Sequence, residues 1–415
     1  MDIISLNFYN LSIFLYVLGI KIAAIFKNEK AILWVKGRQH IFEEIQNKLN
    51  PNEERIWMHF ASLGEFEQGR PLLEKIKEKH PNYKIVLTFY SPSGYEIRKN
   101  YSHADYVFYL PADTRKNARM FLELVKPKLV IFVKYEFWYH YFMAIGRRKI
   151  PFLMISTVMR KSQIFFKWYG SEMRKMLNSV TYFFTQDQYS QHLLLKLDLG
   201  NASISGDTRV DRVLNIAENT AIIKAIDIFL NKEKAIIGGS VYLADCKFIK
   251  DAIASGLIDQ KIILVPHDVS AENINQIQNL FGEQSILYSE FNNETEQKIL
   301  IVNTVGLLSA IYQYGTYAII GGGFGKSIHN ILEPAAFGLP VVFGPNYHKF
   351  KEANEMLACN AAYTFSNQQQ FEKIISRFKN EEELNLSSNA SKTYINMNAG
   401  GTEKIYHWMI EKDIL

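Results

Sequence analysis

The segment Gly321-Gly-Gly-Phe-Gly-Lys-Ser-Ile-His-Asn-Ile-Leu-Glu-Pro-Ala-Ala-Phe-Gly-Leu-Pro-Val-Val-Phe-Gly-Pro345 has the residue types to hold an anion beside a sugar. Glycines admit close backbone approach, and a following helix N-terminus offers unpaired N–H groups and partial positive charge. Asn330 stands at the start of the expected helical turn, and Glu333, about one turn in, has a carboxylate that can accept from two sugar hydroxyls. The glycines alone fit any tight βα turn equally well; Asn330 and Glu333 tilt the segment toward a nucleotide-sugar or phosphate site. A second chemical candidate is Glu65, a carboxylate after Ser62 and Gly64 where a strand runs into a helix. Such a group can serve as general base. A first-turn glutamate is also stabilised by about 0.3–1 kcal/mol through the helix dipole alone, which gives it a purely structural reading.

Strand–helix alternation is what must position these residues. An apolar run at Tyr317–Ile320 feeds the glycine loop, and Val341–Phe343 follows Gly338-Leu-Pro. Earlier strands are expected at 56–60, 84–89, 106–109, 129–133, 151–155 and 181–185, with helices at 65–79, 114–125 and 187–197. Gly206-Asp-Thr-Arg-Val-Asp211 interrupts the pattern as the entry to a linker, and strands resume at 234–240, 261–265 and 298–302. Asn292–Gln297 reads as a polar loop and Asn380–Ser391 as a polar stretch. This pitch predicts an α/β protein of two Rossmann-like domains whose parallel sheets face a cleft, with ligands at strand C-terminal ends. Residues 35–210 and 211–400 are the expected domains, with a closing helix in 401–415 packing across their junction.

The chain has 415 residues, 48% of them hydrophobic and 21% charged, ample for two such domains. A net charge of +5, spread along the chain, does not predict a nucleic-acid binder. Cys246 and Cys359 are the only cysteines and build neither a disulfide framework nor a thiolate cluster. No Asp-x-Asp and no i, i+4 histidine pair occurs, so neither a protein-held metal nor another cofactor is expected. Residues 1–34 stand apart: Ile3–Ile20 carries no charge, and Lys27, Lys30, Lys36 and Arg38 follow. This predicts a membrane anchor, spanning or lying in the interface, with cytosolic basic residues behind it. A hydrophobic helix packed on the body of the protein is the plainer alternative.

Several segments, in order, resemble the Kdo transferases, glycosyltransferases of the GT-B fold that move 3-deoxy-D-manno-octulosonic acid (Kdo) from CMP-Kdo to a lipid A precursor. They are Trp57-Met-His-Phe-Ala-Ser-Leu-Gly-Glu65, Leu110-Pro-Ala-Asp113, Lys126-Pro-Lys-Leu-Val-Ile131, Glu136-Phe-Trp138, Gly206–Asp211 and His329-Asn-Ile-Leu-Glu-Pro-Ala-Ala336 with Phe343-Gly-Pro345. The resemblance implies Glu65 as the catalytic base and CMP contacts from Ser240, Pro266, His267, the run Gly306-Leu307-Leu308, and Asn330 to Glu333 through Ile331 and Leu332. It places Ser62, Gly64, Glu136, Arg160 and Arg209 on the acceptor side or in the cleft. It also implies metal-independent inversion on the cytoplasmic face of the inner membrane. Four departures stand out: Lys134 where the family often has glutamate, Trp138-Tyr-His140 for Trp-Pro-Asn, Val265-Pro-His267 for Pro-Arg-His, and Gly239-Ser-Val-Tyr-Leu243 for Ala-Ser-Thr-His-Glu. A GT-B transferase using a UDP-sugar, or a non-catalytic nucleotide-sugar-binding membrane protein, fits the same residues without the resemblance.

Overall fold

The structure is a computed structural model that describes residues 2–292 and 296–415. The predicted polar loop at 292–297 falls partly outside them. The chain forms two compact units, one comprising residues up to Asp211 together with Gly400–Leu415, the other Arg212–Ala399.

The first unit is built on strands β1 (Arg55–Phe60), β2 (Lys84–Phe89), β3 (Tyr106–Tyr109), β4 (Pro127–Val133), β5 (Phe152–Thr157), β6 (Tyr182–Thr185) and β7 (Ala202–Ile204). They lie parallel in the order β3-β2-β1-β4-β5-β6-β7. Both faces are covered, which is why the strands read as near-continuous apolar runs. Side chains alternate: Trp57, Val86, Val130 and Phe132 enter one core, and Met58, Leu87, Leu129 and Ile131 the other. Trp57 is fully buried against Phe121, Phe132 and Tyr141, and its indole N–H donates to Thr88 Oγ1 at 2.8 Å. Truncating such a residue to alanine costs about 3–5 kcal/mol.

The helix Asp2–Ile25 lies against this unit. Leu6, Tyr9, Val17 and Ile20 pack on its core and Ile13 is buried, a stripe at helical spacing. Tyr9 anchors it by donating to Asp113 Oδ2 at 2.5 Å. Asp113 in turn accepts from the N–H groups of His140 and Tyr141, both at 3.0 Å, at the start of helix Tyr139–Arg147. The opposite side leaves Phe8, Leu11, Phe14, Leu15, Leu18, Ile22, Ile25 and Phe26 exposed. At the other end of the chain, helix Gly401–Glu411 sets Trp408 against Tyr182 and Tyr406 beside His80, within the first unit.

The second unit repeats the plan with β8 (Ala235–Val241), β9 (Ile262–Pro266), β10 (Ser285–Leu287), β11 (Ile299–Ile301), β12 (Gly315–Ile320), β13 (Val341–Phe343) and β14 (Ala362–Thr364). All are parallel, in the order β10-β11-β9-β8-β12-β13-β14. Three-residue strands β7, β10 and β14 close sheet edges that the sequence analysis did not anticipate. The polar stretch at 380–391 is part of an 18-residue helix, Glu381–Asn398.

Candidate active-site residues of the two units

In an open α/β sheet, ligands bind where the strand order reverses, at the strand C-terminal ends. The first sheet reverses between β1 and β4, and Glu65 and Lys134 follow those two strands. Glu65 sits in the first turn of helix Leu63–Lys79 and is 8% exposed. Ser62, the N-cap residue, donates its hydroxyl to Glu65 Oε2, and Lys134 Nζ stands 3.9 Å from Oε1. Lys134 adopts φ +72°, a left-handed conformation that costs a non-glycine residue about 1–3 kcal/mol. The Tyr135 ring carries Lys134 Nζ at 5.3 Å and the exposed Arg160 guanidinium at 5.5 Å. Burial and the nearby Glu65 charge push its hydroxyl above the ordinary phenol range.

Gly64 is helical, and a Cβ there would meet nothing nearer than Ser62 Oγ at 3.8 Å, so no backbone freedom is required of it. Glu65 lies in the first turn of the helix expected over 65–79. Glu136 lies inward, 9% exposed, accepting from Trp138 Nε1 at 2.9 Å and standing 3.5 Å from His59 Nε2. His59 is fully buried, with Nδ1 2.8 Å from Thr88 Oγ1. Arg209 grips Asp207 through Nε at 2.9 Å and NH2 at 2.6 Å. Burial alone would raise the Asp207 carboxyl; Arg209, with Lys134 adding to it, holds it below the usual carboxylate range. Asp207 also accepts from Gln68 Nε2 at 3.4 Å, and Thr208 donates to the Gln68 carbonyl, which ties Arg209 to the helix that carries Glu65.

The second sheet reverses between β8 and β12. Ser240 near the end of β8 is left-handed, at φ +49°, where the register against β9 shifts. Tyr242 and Asp245 form a reciprocal cap on helix Leu243–Ala254, and Asp245 Oδ2 also faces the Gly322 N–H at 3.3 Å. The glycines after β12 are there for space. A Cβ on Gly321 would lie 2.2 Å from the Ser240 carbonyl oxygen, one on Gly323 2.6 Å from the Gly344 backbone, and Gly322 has φ +91°.

Over this loop three rings stack. His267, just past Pro266 at the end of β9, lies 4.3 Å from His329 and 5.1 Å from Tyr242 (ring centroids), and the Tyr242 hydroxyl is 3.1 Å from His329 Nε2. Burial, with the His267 charge adding to it, pushes the His329 pKa down to about 4. The helix after the loop is shorter than expected, Leu332–Ala336, so Asn330 precedes it and Glu333 is in its first turn. Asn330 Oδ1 accepts from the Leu332 N–H at 3.1 Å, and its Nδ2 donates to Glu333 Oε1 at 3.0 Å. Ser309 donates to Glu333 Oε2 at 2.8 Å. Ile331 and Leu332 are buried, so of 330–333 only Asn330 and Glu333 present polar side chains. Gly306, at φ +92°, turns the chain through Leu307 into a one-turn helix from Leu308 that brings Ser309 to Glu333. Tyr242, Asp245 and Ser309 were missed by the sequence analysis; an aspartate placed to sit in a helix first turn, Asp245, is the one readable signal.

Two Rossmann-like units of seven parallel strands each, with candidate groups at both reversal points, have the architecture of the GT-B fold. A UDP-GlcNAc 2-epimerase from Neisseria meningitidis, solved bound to UDP-GlcNAc, has the same fold at 15% identity, with a TM-score of 0.60 over 86% of this chain and 100% of that one. The family pattern "3-Deoxy-D-manno-octulosonic-acid transferase (kdotransferase)" matches residues 36–212. The 3-deoxy-D-manno-octulosonic acid transferase of Aquifex aeolicus is 30% identical over 310 residues, 73% of this chain and 79% of the relative. That of Haemophilus influenzae is 25% identical over 326 residues, 74% of each. The chain belongs to the 3-deoxy-D-manno-octulosonic acid transferase family. It is a glycosyltransferase of lipopolysaccharide core synthesis, as its motifs anticipated.

Proposed function

We propose that this enzyme transfers Kdo from CMP-Kdo to a hydroxyl of a lipid A precursor, with inversion and with Glu65 as general base. The observation that carries the reading is the Ser62–Glu65–Lys134 group at the reversal point of the first sheet. Ser62 fixes the rotamer of the carboxylate that takes the proton, and the Lys134 ammonium stands 3.9 Å from its other oxygen. As the acceptor oxygen attacks the anomeric carbon, its proton passes to Glu65 and the bond to the CMP phosphate breaks. Arg160, exposed and with forked donors suited to phosphate, is the acceptor-side cation, while Arg209 is engaged with Asp207.

CMP is assigned to the second unit. Glu333, held by Ser309 and Asn330, retains acceptor capacity for ribose hydroxyls. His267 and Ser240 flank the glycine loop, whose backbone can approach the phosphate. CMP leaves as a phosphate monoester of low basicity, so N–H groups and neutral side chains suffice to stabilise it without a protein-held metal. The exposed apolar side of helix Asp2–Ile25 enters the cytoplasmic leaflet of the inner membrane, where the lipid acceptor lies. A helix whose inner stripe is committed to the protein lies in the interface more readily than it spans.

The deciding experiment incubates the purified enzyme with CMP-Kdo and a tetraacylated lipid A precursor, following CMP release and product mass. Acceptor-dependent CMP release with a mass gain of one or more Kdo units is expected. Release from a UDP-sugar instead, or none with any donor, defeats the assignment.

A further inference from the structure

Beside helix Asp2–Ile25, on the outer surface of the first unit, lies a cavity of about 630 Å³. Arg115, Lys116 and Arg119 on helix Arg115–Val125 form one wall, and Arg147 and Arg148 on helix Tyr139–Arg147 and its C-cap the other. Leu6 of the N-terminal helix and Met143 give it an apolar floor. Glu123 takes up part of this charge, 3.6 Å from Arg119 Nε and 3.7 Å from Arg148 NH2. Among the described residues no carboxylate lies within ion-pair distance of Arg115, Lys116 or Arg147, and no acidic residue lines the cavity. His140, also lining it, is bonded to Asn10 of the N-terminal helix at 2.7 Å. Its pKa is pushed down to about 4 by burial and by Arg115 and Arg147, so it adds no charge of its own at neutral pH.

Five cations, only two of them facing Glu123, surround a cavity whose volume and charge suit a phosphate headgroup. The apolar helix beside them fixes where it comes from. The outward residues Phe8, Leu11, Phe14, Leu15 and Leu18 are exposed on the same helix that contributes Leu6 to the floor. Ile164, Trp168 and Tyr169 are exposed beside helix Ser171–Leu177, which packs on the N-terminal helix. Aromatic residues next to an apolar helix mark a membrane–water interface, and basic pockets at that level bind phosphate headgroups. We infer that this cavity is a binding site for the phosphodiester headgroup of an anionic phospholipid, separate from the Glu65 and CMP sites. It holds the enzyme in one orientation on its membrane. The inference rests on the reading of the N-terminal helix as a membrane-docking element.

The test is flotation of the full-length protein with three vesicle types: phosphatidylcholine alone, phosphatidylcholine with phosphatidylglycerol, and phosphatidylcholine with a fatty acid giving equal surface charge. The wild type is compared with an Arg115→Gln/Arg147→Gln variant and with Phe14→Asp/Leu18→Asp. Thermal melts check that each variant folds; the substituted side chains are exposed, so folding should survive. Phosphatidylglycerol should raise wild-type binding well above that to the other two vesicle types. The arginine variant should lose about thirtyfold of its binding to those vesicles and keep the wild-type level on phosphatidylcholine. Equal binding by wild type and arginine variant, or equal preference for the fatty acid, overturns the headgroup site while leaving the docking helix intact. If Phe14→Asp/Leu18→Asp floats as well as wild type, the docking reading fails, and the inference with it. Transfer to a detergent-dispersed acceptor adds a last control. An arginine variant with raised KM in the absence of any bilayer shows that the cavity holds the acceptor's own phosphate, and refutes the assignment.

Discussion

The two reversal points share one strand geometry but differ in the side chains they gather. In the first unit the side chains are charged and held by one another: Ser62 and Lys134 on Glu65, Arg209 and Gln68 on Asp207. In the second the loops are mainly backbone, glycine and stacked rings, with the Glu333 carboxylate held between the Ser309 and Asn330 donors. A group that must take a proton needs its rotamer and charge state fixed before substrate arrives. A surface that must meet a nucleotide needs the backbone near and the side chains out of the way. Both units carry non-glycine residues in left-handed conformation as strands end, Lys134 and Ser156 in one and Ser240 in the other. The strain in each sits where the chain turns from sheet to site.

The largest expected effect breaks the first site alone. Glu65→Gln keeps size and the hydrogen bond from Ser62 but removes the base, so turnover should fall about 10²–10⁴-fold. CMP affinity measured by calorimetry should stay at the wild-type value. Turnover within threefold of wild type removes Glu65 from the role of base. The converse probe is Glu333→Ala, which should leave the first unit untouched and weaken CMP binding by about 1.5–3 kcal/mol. Unchanged affinity in the same titration moves the ribose elsewhere.

Most of both frameworks is legible in the sequence, because strands buried on both faces advertise themselves as apolar runs. β2, β3 and β13 lie where those runs predict. What stayed hidden has a common physical cause: contacts made by polar or very short segments. Helix Glu381–Asn398 docks through small polar residues, Ser388 donating to the Gly338 carbonyl and Ser391 to that of Ala361, with Ser387 facing Tyr363 at 2.6 Å. No hydrophobic stripe marks such a helix. The edge strands β7, β10 and β14, three residues each, are too short for a period to register. At the sites, Glu65, His267, Asn330 and Glu333 could be picked out by type and motif. The Ser309–Glu333 and Tyr242–His329 contacts join residues 24 and 87 apart and belong to no local pattern. Lys134, in sequence only a departure from the family, lies beside Glu65 because β4 neighbours β1.

Glycine substitutions sharpen the contrast at smaller cost. Gly64→Ala adds a methyl to open space within a helix and should stabilise the protein by about 0.5–1 kcal/mol. Gly321→Ala drives a Cβ into the Ser240 and Val241 backbone and should destabilise it by about 1–3 kcal/mol, with loss of CMP affinity. Denaturation midpoints of the two variants should therefore move in opposite directions. Similar shifts for both mean that the second loop is not the tightly packed one.

The smallest effect concerns protonation. His329 has an ordinary pKa of 6.5 and a folded value of about 4, because burial, and His267 beside it, disfavour the imidazolium. Between those values the unfolded chain binds a proton that the folded chain refuses, so stability falls as pH drops through this window and recovers as it rises. His140 in the first unit behaves in the same sense, for burial and for Arg115 and Arg147. Asp113, next to it, is raised to about 6 by burial, so its contribution is full below its ordinary 3.8 and is lost as pH rises through about 6. In the second unit Asp245, raised by burial, also opposes its histidine. Total stability curves therefore mix signs, and the informative quantity is a difference. His329→Asn removes one titrating group, so denaturation midpoints measured from pH 4.5 to 7 should show a shallower loss toward acid than wild type. His140→Asn should flatten the acid loss of the first unit instead. A His329→Asn profile parallel to wild type means that this ring meets protons as freely in the fold as in the unfolded chain, and the Tyr242–His329–His267 stack is open to water.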